Sequence, residues 1–137
     1  MSEQNKALMR RWFEEVWNQG RGEAIDEMMD DRVVIHGLAG PDGQDVEGSG
    51  AFREFHRQFR GAFPDLSITV EQVIAEGDLV AARCHVCGKH TGETLGIAAS
   101  QSPVEFDGIA IVKIKDGKFV EAWNSFDFLK MNRQLGL

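Results

Sequence analysis

The hydrophobic period of this chain changes near Pro64, and that change sets the fold class. Before it, apolar residues recur three and four apart; after it, they alternate. Leu8, Met9, Trp12, Phe13, Val16 and Trp17 make one stripe at 3.6 residues per turn, with Arg10, Arg11, Glu14 and Glu15 opposite. Asn18-Gln19-Gly20 ends that helix, Gly20 being able to take a left-handed terminal conformation. A shorter helix is predicted over about 23–30, burying Ile25, Met28 and Met29. Val33-Val34-Ile35 reads as a strand leading to His36, and 37–48 as a flexible loop because it holds four glycines and a proline. Ser49 is placed as the hydroxyl cap of a third helix, whose stripe is Phe52, Phe55, His56, Phe59 and Phe63. Phe63-Pro64 ends it, since the residue before proline avoids helical geometry.

Beyond that point Leu66, Ile68 and Val70 alternate, Glu76-Gly77-Asp78 turns the chain, and 79–89 returns as a strand. A small-residue loop over 92–102 precedes long strands at 104–115 and 119–126, and 128–135 gives a last helical turn or two. Helices first and antiparallel strands afterwards define an α+β fold, with the helices laid on one face of a curved sheet. The 137 residues form one domain, large enough to bury a core without a disulfide or metal staple.

Charge narrows the partners. The 15 Lys and Arg against 22 Asp and Glu give −7, without long single-sign blocks, which argues against nucleic acid and anionic membrane. The opening Met1-Ser2-Glu3-Gln4-Asn5-Lys6 has no apolar run for a signal peptide, no stretch approaches a membrane span, and the cysteine usage suits a reducing interior. The expected location is therefore cytoplasmic. The chain has no Tyr, so every mechanism that needs a tyrosine hydroxyl is excluded.

Asp116-Gly117 between two strand-like runs signals a two-residue hairpin with positive φ. Pairing Lys115 with Lys118 opposes Val112 to Glu121, Ala110 to Trp123, Gly108 to Ser125 and Phe106 to Asp127. One face then carries Phe106, Gly108, Ala110, Val112, Trp123, Ser125 and Asp127; the other carries Asp107, Ile109, Ile111, Ala122, Asn124 and Phe126. Both faces are apolar in the middle, and the helices can cover only one, so the second is expected to meet another subunit. Gly108 leaves a gap beside Trp123 and Phe106, with Asp127 at its rim. A carboxyl among aromatic rings loses hydration and holds its proton nearer neutrality, which suits a general acid/base. The alternative is that Asp127 caps a helix starting at Phe128. A bulge would exchange the faces and make Asp107 the reserve acid/base.

Other residues carry two readings each. His56 either donates to a ligand carbonyl or is a core histidine tied to a backbone carbonyl. His36 lies at the pocket mouth or is an ordinary exposed histidine. Trp12, Phe13 and Trp17 are core packing first and pocket lining second. Cys84-His85-Val86-Cys87 with His90 suggests zinc, but strand residues three apart point to opposite faces, so no metal site is expected. Ser49, Ser100 and Ser102 lack a nucleophile motif, and Gly48-Ser49-Gly50 is a helix entry with no phosphate-loop pattern.

The chain resembles the SnoaL-like polyketide (ester) cyclase family of the nuclear-transport-factor-two-like superfamily. The resemblance rests on WNQG at 17–20, VVIHG at 33–37, FPDL at 63–66 and IAEGDLVAAR at 74–83, and continues through GKHTG at 88–92, DGKFVEAW at 116–123, FD at 126–127 and QLG at 134–136. It implies a cone-shaped α+β barrel, in which a strongly curved antiparallel sheet is closed by three N-terminal-half helices around an apolar pocket. Homodimers are common in such a family. It further implies an intramolecular aldol ring closure without metal or cofactor, with Asp127 at the position of the acid/base. The chain departs from the family at Ala122, where relatives often carry His, and at 98–102, where they often carry a Pro-Thr-Gly loop.

The expected activity is a cofactor-free cyclisation of an apolar, carbonyl-bearing ligand. Asp127 is the acid/base, and His36, His56, Phe59, Phe106, Trp123 and Trp12 are substrate-binding. The alternative is a non-catalytic binding or dimeric interaction module of the same fold.

Overall fold

A computed structural model describes residues 2–38 and 45–137; of the predicted loop over 37–48, residues 39–44 lie outside the described residues. Helix α1 (Ser2–Arg11) runs directly into a π-helical segment (Trp12–Asn18). There follow α2 (Glu23–Met28), β1 (Met29–His36), β2 (Val46–Glu47), α3 (Ser49–Ala62), β3 (Ser67–Glu76), β4 (Leu79–Lys89), β5 (Pro103–Lys115), β6 (Lys118–Phe126) and α4 (Phe128–Gln134). Among the described residues no helix is long and apolar enough to cross a membrane.

The six strands form one curved sheet in the order β2-β1-β6-β5-β4-β3. Strands β3 to β6 are a meander, so each connection reverses direction and their pairing is antiparallel. Strand β1 reaches β6 with most of the chain between them, and the two pair in parallel. The expectation of a wholly antiparallel sheet is corrected on that point. The sheet also stays open, with β2 and β3 as its edges, so the helices cover a cone that the strands do not close.

The first helix changes geometry at its most aromatic stretch. Trp12, Phe13, Val16 and Trp17 are all buried in the wider π-helical turns. The Asn18 amide then ties this segment to edge strand β3: Nδ2 donates to the Ile68 carbonyl (2.9 Å) and Oδ1 accepts from the Ile68 N–H (2.6 Å). Gly20 has the left-handed φ of +71° expected of it. Helix α3 begins differently from the expectation. Gly48, at φ +88°, precedes it with no side-chain cap, and Ser49 is its buried first residue.

The β5–β6 hairpin decides what faces the core. Asp116 and Gly117 take φ of +53° and +76°, and Lys115 pairs with Lys118 and Ile114 with Phe119, as expected. Val120 is then an extra residue on β6, and Lys113 pairs with Glu121. From this bulge onward the β6 face assignment is exchanged. Ala122, Asn124 and Phe126 lie opposite the inward Val112, Ala110 and Gly108, while Trp123 and Ser125 point outward. The β5 faces stand as read: Val104, Phe106, Gly108, Ala110, Val112 and Ile114 alternate inward along the whole strand.

Candidate functional site

The inner sheet face, the π-helical segment and α3 enclose an apolar pocket. Its wall includes Trp12, Phe13 and Trp17 from the first helix, Phe52, Phe55 and Phe59 from α3, and Phe106, Ala110, Val112, Phe119, Ala122, Asn124 and Phe126 from the hairpin. Phe128 of α4 lines it as well. The aromatic rings brace one another: Trp17 meets Phe52 and Phe59 edge-on at centroid distances of 5.9 Å, and Trp12 meets Phe119 edge-on at 5.1 Å. Such pairs add about 0.5–1.5 kcal/mol beyond their buried area. The gap that Gly108 leaves is filled by the Phe126 ring, which a Cβ at that position would overlap.

Asn124 is the one polar side chain among the described lining residues. Its Nδ2 donates to the His36 carbonyl across the β1–β6 pair (3.1 Å). A carbonyl only accepts, so the nitrogen must face it, and Oδ1 is left as a hydrogen-bond acceptor on the pocket wall. The sequence reading put Asn124 on the outer face. Only the bulge at Val120 brings it inside, and no turn or motif in the sequence marks that bulge.

Three of the predicted binding residues, Trp12, Phe59 and Phe106, line the pocket. The other three do not. His56 is buried, and its Nε2 donates to the Val16 carbonyl of the π-helical segment (2.7 Å), the core-histidine alternative. Burial holds its pKa below the usual histidine value, outweighing the carbonyl bond that favours the charged form. Trp123 is 38% exposed on the outer face because of the register shift, and His36 stacks on it at 5.6 Å. His36 is also held between Glu121 (Nε2, 2.8 Å) and Asp45 (Nδ1, 2.6 Å), and these carboxylates raise its pKa.

Asp127 is exposed, and its carboxylate accepts the Lys130 N–H (3.0 Å) as the N-cap of α4. The burial among aromatic rings predicted for it is therefore absent. It follows the pocket-lining Phe126 and precedes Phe128, which places its backbone at the pocket edge. Asp107 is also exposed and outward, so the reserve position does not enter the pocket.

Cys84 and Cys87 point to opposite faces, as strand geometry requires. Burial pushes the Cys84 thiol up to about 12. His85 and Cys87 share the outer face with Glu105, with their donor atoms within 4.8 Å of one another. Both His85 nitrogens are engaged there, by Asp107 (2.6 Å) and Glu105 (2.9 Å). His90 is fully buried and accepts the Ser100 N–H at Nδ1 (3.1 Å), which fastens the 92–102 loop.

An open-sheet α+β cone around an apolar pocket with one amide on its wall defines the class of the protein. Residues 7–135 match the model of the SnoaL-like polyketide cyclase family, and the chain belongs to that family. A protein from Jannaschia sp. CCS1 assigned as a SnoaL-like polyketide cyclase superposes with a TM-score of 0.87 at 26% identity, covering 98% of this chain and 92% of that one. IdmH from Streptomyces antibioticus, assigned as a polyketide cyclase, superposes at 0.82 with 27% identity over 98% and 99%. An LEH-like epoxide hydrolase of M. tuberculosis shares the fold alone, at 0.74 and 13% identity over 98% and 90%. No curated protein matches the sequence.

Proposed function

We propose that this chain takes a largely apolar ring compound carrying carbonyl and hydroxyl groups into the cone and closes a ring on it, as a polyketide-type cyclase. The observation that carries this reading is the pocket wall, apolar and rich in aromatic rings, with Asn124 as the one amide among the described lining residues and its Oδ1 left to accept. Burying apolar rings supplies affinity, and one fixed polar group supplies orientation. A ligand hydroxyl donates to Asn124, which aligns the remainder of the molecule toward the edge between Phe126 and Phe128.

Asp127 at that edge is the proposed acid/base. Its carboxylate takes a proton from the carbon next to a ligand carbonyl. The resulting enolate carbon attacks a second carbonyl carbon, a C–C bond forms, and the new alkoxide takes the proton back. The step needs neither cofactor nor metal. Family membership supports this assignment, together with the position of Asp127 between two lining phenylalanines.

A second reading, binding without chemistry, is favoured by one observation: the Asp127 carboxylate is committed to the Lys130 N–H. Asp127→Asn separates the two, because asparagine caps a helix as well as aspartate does. Turnover of a polyketide-type aldol substrate is expected to fall by about 10²–10⁴-fold, with the melting temperature within a few degrees. Full activity in Asp127→Asn removes the acid/base and leaves the binding reading.

A further inference from the structure

Strand geometry keeps Cys84 and Cys87 apart, but it brings His85 and Cys87 together. They stand two residues apart on β4, so both side chains leave the outer face of the sheet. The expectation of no metal site is argued for Cys84 with Cys87 and does not reach this second pair. In the β4–β5 ladder His85 lies opposite Asp107 and Cys87 opposite Glu105, so an imidazole, a thiol and two carboxylates form one two-by-two patch. Among the described residues, His85, Cys87 and Glu105 are the one trio of such side chains with its donor atoms all within 4.8 Å of one another. The backbone under the patch is held from α4: Gln134 Oε1 accepts the Glu105 N–H (2.9 Å) and Gln134 Nε2 donates to the Glu105 carbonyl (3.1 Å). Arg83, the next outward residue of β4, is paired with Glu71 (3.0 Å). The two carboxylates of the patch share the single imidazole of His85.

We propose that His85, Cys87 and Glu105 bind a divalent transition-metal ion of the zinc kind, with Asp107 orienting the imidazole. Nitrogen and sulfur donors select such an ion over calcium and magnesium, which take oxygen ligands. The carboxylates sit on different ring nitrogens of His85: Asp107 on Nδ1 (2.6 Å) and Glu105 on Nε2 (2.9 Å). One imidazole cannot aim both nitrogens at one ion. Nε2, which already faces Glu105, is therefore the ligand, and Nδ1–H stays with Asp107. A carboxylate behind a metal-bound histidine fixes its tautomer and ring angle. Metal–ligand bonds of about 2.0–2.3 Å in a tetrahedron set the donors about 3.3–3.7 Å apart. The trio thus has at most about 1.5 Å to close, a movement that side-chain rotation on a fixed ladder supplies. The ion takes the place of the proton between Nε2 and Glu105 and of the Cys87 thiol proton. Three protein ligands leave a fourth position for water on the solvent side.

Cobalt(II) is the probe, because a thiolate ligand gives it a charge-transfer band in the near ultraviolet that nitrogen and oxygen ligands do not. Untagged, reduced protein, stripped with a chelator, is titrated with cobalt chloride. Wild type is expected to develop that band with one ion bound per chain, and added zinc to abolish it. Cys87→Ser is expected to lose the band although Cys84 is still present. Asp107→Asn is expected to keep the band and to weaken binding by about 10–100-fold, which separates orienting from ligation. His85→Gln, which removes a ligand, is expected to weaken binding more than Asp107→Asn does. All these side chains lie on the outer surface, and circular dichroism checks that each variant is folded. A wild-type titration without a saturable band overturns the proposal. So does a band that survives Cys87→Ser, and Asp107→Asn binding as tightly as wild type overturns the orienting role.

Discussion

Alternate residues of β5 live in different worlds, and the contrast between its two faces organises the molecule. Inside, six consecutive inward positions carry no charge, and the only amide that β6 adds is fixed by the β1 backbone. Outside, charges come in sets: His85 between Asp107 and Glu105, and His36 between Glu121 and Asp45. The histidines make the same point. Burial shifts the His56 pKa down, while carboxylates shift those of His36 and His85 up.

The largest expected effect breaks the inner face. Phe106→Ala empties the centre of the wall and should cost about 3–5 kcal/mol in denaturant unfolding. Gly108→Ala should cost about 1–3 kcal/mol, because the new methyl group displaces the Phe126 ring. Asn124→Leu tests the acceptor. Wild type should bind naphthol more tightly than naphthalene by about 2–10-fold, one hydrogen bond's worth, measured by quenching of Trp12 and Trp17, and the variant should lose the preference.

Stability against pH sharpens the comparison with opposite signs. The folded pKa of His56 lies below the unfolded value of 6.5, so its part of the stability is intact above 6.5 and is lost as pH falls through the folded pKa. Those of His36 and His85 lie above 6.5, so their part is fully present below 6.5 and is lost as pH rises through the folded pKa. Unfolding free energies between about pH 5 and 8 should therefore lose acid sensitivity in His56→Gln and alkaline sensitivity in His85→Gln. The smallest effect is on the outside: Ile74→Ala, at 61% exposure, should stay within about 0.5 kcal/mol.

The parts of the fold legible in the sequence were those written in unbroken periods. The β5 alternation, the Asp116-Gly117 turn and the end of α3 before Pro64 each have a local physical cause, and each is where it was expected. The bulge at Val120 has no such local mark. It inserts one residue between Phe119 and Glu121, both of which fit the uninterrupted register equally well, and only packing against β5 and β1 selects it. That single insertion moved Trp123 out and Asn124 in, so the faces of β6 were exchanged while the hairpin's strands were read correctly. The π-helical turns at Trp12–Asn18 were equally silent, since a dense aromatic stripe suits either helix. Capping by Asp127 was one of two open readings, because Asp before an apolar helix start supports it as well as the family position supports chemistry.

The most direct test is a crystal structure of the protein soaked with naphthol. The rings should lie between Trp17, Phe59 and Phe106, with the hydroxyl within hydrogen-bond distance of Asn124 Oδ1. Naphthol seated elsewhere, or its hydroxyl turned away from Asn124, would contradict the assignment of the inner face as the functional site.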